Sequence, residues 1–261
     1  MRTLRLVGIS WWLQLKMRSR SAFDGLLSIL WPLFFATSVF LMFRQGTATG
    51  AVSGAALLSA AVGASVMGIW SAVSTTASSV LQMERRLGTL ELLVAAPRPF
   101  ALLLVPVTLS MATIGAYSMI VTLLWGRFVF GIELAVASPA LFVLSTLVTV
   151  VAVAIFGFLL AVASVRYRVA WALGSTLELP VWLICGFLVA VSDLPGWVQP
   201  VSWILAPTWG MAAIHASAQG RNPWGDIAMC LGLAAVYAAI GTVLSRVMIN
   251  SARAHASLAL T

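Results

Sequence analysis

The sequence predicts an all-α polytopic membrane protein, and three observations carry that reading. Of 261 residues, 61% are apolar and only 8% are charged. A soluble protein has roughly a quarter of its residues charged, so a water-soluble globule of this composition would lack the polar groups to cover its core. The apolar residues come in continuous runs, without the alternation over ~10-residue segments that marks a transmembrane β-barrel. All but one of the Lys and Arg residues fall outside the runs, in a one-sided pattern.

Six runs reach the roughly 20 residues a helix needs to cross the hydrocarbon core. They are residues 25–43, 51–81, 101–125, 134–165, 169–191 and 227–249. The second is rich in Gly, Ala and Ser. Its Gly54, Ala60, Gly63, Ala64 and Gly68 read as surfaces for close helix packing rather than as a substrate site. No internal repeat or long linker divides the chain, so one domain over 1–261 is expected, with a six-span bundle over 25–249.

Orientation comes from the positive-inside rule. With the N-terminus in the cytoplasm, twelve of the fifteen Lys and Arg residues fall inside: Arg2, Arg5, Lys16, Arg18, Arg20, Arg85, Arg86, Arg98, Arg166, Arg168, Arg246 and Arg253. Arg44, Arg127 and Arg221 fall outside. Both termini are then cytoplasmic, including the tail 250–261. The formal charge of +8 reports topology and contact with anionic lipid, not nucleic acid.

Residues 1–21 are too basic for a cleavable signal peptide. Leu4, Val7, Trp11 and Leu15 share a helical face, with Arg2, Arg5, Lys16 and Arg20 on the opposite arc. Such a helix is expected to lie in the inner membrane interface. Cys185 and Cys230 both sit in apolar surroundings and read as small buried hydrophobes.

Catalytic chemistry finds no footing. Lys16 is the only lysine and comes directly after Leu15, so no phosphate-binding G-x-x-x-x-G-K-[ST] loop exists in the chain. His215 and His255 are far apart, with no Cys/His cluster to hold a metal. No G-x-S-x-G elbow is present. No catalytic, cofactor-binding or metal residue is expected, and the chain is not expected to be an enzyme.

Two stretches break the apolar monotony. In the first, Glu84, Arg85, Arg86 and Glu91 crowd into eight residues between the second and third runs. Gly88 interrupts good helix formers there. Thr89 can cap a new helix, Glu91 falls in its first turn where a carboxylate favours the positive helix end, and Pro97 ends it. A short helix over about 90–96 is expected, lying along the inner surface. In the second stretch, residues 192–216, Pro195, Pro200 and Pro207 prevent one continuous helix. Trp197, Trp203 and Trp209 suit an interfacial belt. One acid, Glu178, sits inside the fifth run just before Pro180. It reads either as a pathway residue meeting a polar or cationic part of a substrate or as a neutral or paired carboxyl satisfying the backbone opened by Pro180.

The segment 84–99, ERRLGTLELLVAAPRP, resembles the signature of ABC type-2 transporter permeases, E-R-E-x-G-T-L-E-x-L-L-x-T-P. The matching positions are Glu84, Arg85, Gly88, Thr89, Leu90, Glu91, Leu92, Leu93 and Pro97; Arg86 and Ala96 depart from it. The resemblance implies a coupling helix here, docked in a groove of a separate nucleotide-binding subunit. It also implies an N-terminal amphipathic connecting helix, six spans, and a pair of short re-entrant or interfacial helices at the outer mouth over 192–216. The working unit it implies has two permease chains, identical or homologous, and two ATPase subunits that carry the ATP and Mg. The expected function is export of an amphiphilic substrate, a drug, a natural product or a lipid-linked glycan, across a bacterial cytoplasmic membrane. The alternatives are a permease-like subunit of a membrane assembly complex, or a proton-driven secondary transporter using Glu178.

Overall fold

The structure, a computed structural model, describes residues 2–19, 30, 33, 34, 36–38, 40, 41, 54–86, 88, 101–131, 136–166 and 176–255. Their helices are α1 (Arg2–Ser19), α2 (Gly54–Arg86), α3 (Ala101–Phe130), α4 (Pro139–Arg166), α5 (Glu178–Ile184), α6 (Gln199–Ile204), α7 (Ala206–Ala218) and α8 (Trp224–His255). A 3-10 turn, Val191–Asp193, lies between α5 and α6. Among the described residues, three segments are long and apolar enough to cross a membrane: Leu104–Phe130, Pro139–Ala163 and Trp224–Val247. A shorter apolar segment, Leu58–Ser74, lies in α2.

The centre of the bundle is α2. Every residue from 60 to 71 is buried, as expected of a helix apolar on all faces. Small residues let its neighbours come close. A Cβ built on Gly63 would lie 1.9 Å from the carbonyl oxygen of Phe187, and one built on Gly115 of α3 would lie 2.8 Å from the Cα of Ile69. The main core joins α2, α3, α4, α5 and α7 through side chains such as Val66, Trp70, Met111, Val153, Val181 and Ile214. A line of rings then crosses the bundle. Trp70 packs on Phe156 of α4 at 5.1 Å between centroids, and Phe156 packs edge-on against Tyr237 of α8 at 5.4 Å. The Tyr237 hydroxyl donates to the carbonyl of Ile204 at the end of α6.

These contacts fix the relative directions of the helices. Ile69 of α2 meets Gly115 of α3, while Ala60, Ala61 and Ala64 belong to a buried cluster against which Leu123 and Phe130 pack, so α2 and α3 are antiparallel. Phe156 meets Tyr237 and Phe158 meets Gly241, so α4 and α8 are parallel. Most of the first apolar run lies outside the described residues. Its helical positions 36–38, 40 and 41 run parallel to α3: Trp125 Nε1 donates to Thr37 Oγ1 at 3.1 Å, and the rings of Phe40 and Phe130 are 4.9 Å apart.

Two expectations are corrected. The fifth apolar run does not stay helical to residue 191. Its helix α5 stops at Ile184, and Gly186, at φ +81, turns the chain into a stretch of bends that leads to the 3-10 turn. That φ suits a residue without a Cβ. Second, the face of α1 that carries Val7, Trp11 and Leu15 is half-buried against protein, with Trp11 Nε1 donating to Thr113 Oγ1 of α3 at 3.1 Å. The exposed side carries Leu6, Ile9, Trp12 and Leu13 as well as Arg5. The helix is therefore apolar on two sides: one docks on α3, and the other is exposed.

Candidate functional site

Beyond α5 the chain builds a cap from its prolines. Pro195 accepts the backbone N–H of Val198 at 2.8 Å in a tight turn. Pro200 and Pro207 each lie in the first turn of their helix, α6 and α7, where the missing N–H would have no intrahelical partner anyway. Leu205, extended at φ −89 and ψ 119, separates the two helices. The expected pair of short helices in 192–216 is thus present as α6 and α7. Trp209 Nε1 donates to the carbonyl of Trp203 at 2.8 Å and closes the corner, while Trp197 is 79% exposed. Asn222 Oδ1 accepts the Trp224 N–H at 3.1 Å, satisfying an early donor of α8.

Under this cap lies a pocket of about 700 Å³. Its floor and walls come from Ala60 of α2, the irregular stretch 186–191, Trp203, and Trp209, Met211 and Ala212 of α7. Polar groups line it at two levels. Inside, Ser59 Oγ and His215 Nδ1 are 3.4 Å apart, joining α2 to α7 across 156 residues of sequence. At the rim are Asp193, Gln219 and Arg221. Asp193 Oδ1 accepts from Ser192 Oγ at 3.2 Å, and Arg221 Nε donates to Gln219 Oε1 at 3.1 Å.

Burial, and then the Arg221 charge, hold the His215 imidazole below its ordinary value of 6.5. His215 lies in α7, outside the apolar runs on either side. Linkage sets the sign of the pH effect. A base whose folded pKa is depressed contributes full stability above its unfolded value, and that contribution declines as pH falls from about 6.5 through the folded pKa. Arg221 opposes the imidazolium and Asp193 is the one rim acid among the described residues. The detergent-solubilised protein should therefore melt lower at pH 5 than at pH 7.5. The acid limb should flatten in His215→Gln, measured as melting temperature against pH; an identical limb in both proteins would refute the assignment.

The residues singled out in the sequence take up separate places. Helix α2 continues through Glu84, Arg85 and Arg86. Gly88, exposed and at φ +70, then turns the chain. Thr89, Leu90, Glu91, Leu92, Leu93 and Pro97, with the helix expected over 90–96, lie outside the described residues. Ser59 and Arg86 are about 40 Å apart along α2 at 1.5 Å per residue, so the charged segment and the pocket belong to opposite ends of one helix. Glu178 is half-buried in the first turn of α5 and does not line the pocket. Pro180 also sits in that first turn. Cys185 and Cys230 are buried and unbridged, as expected.

The sequence does not reveal the pocket, nor with it Ser59, His215, Asp193 and Arg221. Spacing tests His215 only as a metal ligand, and its partner Ser59 lies in another apolar run.

Residues 5–218 match the profile of a family described as ABC-2 type transporter. The match spans most of the chain, which therefore belongs to the ABC-2 type transporter family. No curated protein matches it. Members of this family are membrane-embedded permease subunits of ABC transporters and generally work with an ABC ATPase.

Proposed function

We propose that the chain is the permease subunit of an ATP-driven exporter, moving an amphiphilic substrate out of the cytoplasm of a bacterium. Two permease chains, identical or homologous, pair with two copies of a nucleotide-binding subunit that hydrolyses ATP with Mg. The observation that carries this reading is the Gly-Thr-Leu-Glu segment at the far end of α2, with Gly88 in a left-handed turn directly after the helix. A rigid helix of 33 residues leads from that segment to the pocket under α6 and α7. Motion of a docked ATPase would act at one end of α2 and be felt at the other.

The alternating helix directions support six crossings, with the charged segment and both termini on the cytoplasmic side and α6 and α7 at the outer mouth. Coexpression with a lone ATPase encoded beside it, then ATP-dependent accumulation of a hydrophobic dye inside inverted vesicles, tests the function. Accumulation that persists without ATP and collapses with the proton gradient would favour a secondary transporter instead. Topology has its own test. Cysteine placed at position 221 should label from outside intact cells and cysteine at position 90 should not. Outside labelling at 90 would overturn the six-span arrangement.

A further inference from the structure

The pocket under the cap has the dimensions and chemistry of a binding site. Its volume of about 700 Å³ falls among cavities of roughly 300–1,000 Å³ that bury most of a drug-sized molecule. Phe187, Val189, Trp203, Trp209, Met211 and Ala212 give it an apolar and aromatic lining. Two polar stations stand inside: His215 with Ser59 at 3.4 Å, and the buried hydroxyl of Thr208. A neutral imidazole that uses Nδ1 for Ser59 keeps Nε2 as a second hydrogen-bonding group. The full charges, Asp193 and Arg221, are of opposite sign and both exposed at the rim. A ligand with a net charge would lose its hydration on entry and meet no counter-charge inside, which disfavours it.

We propose that this pocket binds an uncharged lipophilic molecule of drug size, whose hydrogen-bonding group meets His215. The binding needs neither ATP nor a partner. Only its place on an export route rests on the permease reading.

The test uses the full chain in phosphatidylcholine nanodiscs, without ATPase. The probe is an uncharged ketone of drug size bearing an aryl diazirine, compared with its trialkylammonium and carboxylate analogues. Photolabelling by the ketone should saturate, map to residues 187–215, and be displaced by excess unlabelled ketone. The charged analogues should label that region at least about tenfold less efficiently. Ala212→Phe, which fills the cavity from α7, should reduce saturable labelling by about tenfold. If Ala212→Phe lowers the melting temperature, Val189→Trp on the exposed stretch provides the same occlusion. His215→Leu should raise the half-saturating concentration by roughly tenfold and His215→Gln should restore it. Unsaturable label spread over lipid-facing residues such as Phe128 and Val243, undiminished labelling in a folded occluded variant, or equal labelling by the charged analogues would each overturn the proposal. A protein that labels as expected yet exports nothing with its ATPase would instead overturn the permease reading.

Discussion

Gly63→Ala should damage this protein more than any other single-methyl addition to its described helices. The new Cβ would stand 1.9 Å from the carbonyl oxygen of Phe187, and a backbone atom cannot rotate away as a side-chain tip can. Either α2 or the stretch after Gly186 must move. Overpacking of a tight core costs about 1–3 kcal/mol, occasionally more, and here the strain falls on the wall of the pocket. Gly63→Ala should accumulate poorly or melt several degrees lower in detergent, and it should lose saturable labelling of residues 187–215. Gly8→Ala and Gly232→Ala, where nothing stands within 4 Å of the added methyl, should match wild type in both assays. A Gly63→Ala protein that melts and labels like wild type would mean that α2 and the cap are not in register as described.

The sequence carried the architecture because lipid imposes it. A span must be apolar over about 20 residues, so runs two, three, four and six could be placed from composition. The helices found there overrun the apolar stretches: α2 continues to Arg86 and α3 to Phe130, because hydrogen bonding does not stop where hydropathy does. Small residues in run two were legible as packing surface, and Gly63 and Ala64 serve that use. Ala60 does both, packing in the core and lining the pocket.

The fifth run misleads for a specific reason. Residues 185–191, Cys-Gly-Phe-Leu-Val-Ala-Val, are as apolar as a span, yet they line a cavity instead of continuing a helix. Hydropathy does not distinguish a side chain facing lipid from one facing a pocket. Only the glycine inside the run hints at the turn. The prolines of the cap are readable, since each excludes a helix interior by its own chemistry. The Ser59–His215 contact is not, because a pair 156 residues apart leaves no local pattern. For α1, the regular spacing of Leu4, Val7, Trp11 and Leu15 identifies a real face but not its partner, which is α3.

Glu91→Lys should uncouple the protein from its ATPase while leaving the membrane domain intact. The reason lies in where α2 ends. The helix closes at Arg86 and Gly88 turns the chain at φ +70. A helix begun after that turn would need its own cap, Thr89, and its own first-turn acid, Glu91. Reversing that charge removes a favourable dipole interaction of about 0.3–1 kcal/mol. That alone would fray a short helix without unfolding a bundle whose core lies along residues 60–71 of α2. If Glu91 also meets the partner subunit, truncating or reversing one member of a buried charged contact costs about 2–5 kcal/mol, and every 1.4 kcal/mol is roughly tenfold in affinity. Pull-down of the ATPase by Glu91→Lys should therefore weaken by roughly a hundredfold or more, with substrate-stimulated hydrolysis lost in lipid. Glu91→Gln, which keeps size and hydrogen bonding, should lose far less. Both variants should express, insert and label in the pocket like wild type, because the pocket lies at the other end of α2. Wild-type pull-down, hydrolysis and transport by Glu91→Lys would reduce the Gly-Thr-Leu-Glu segment to a solvated turn between two spans.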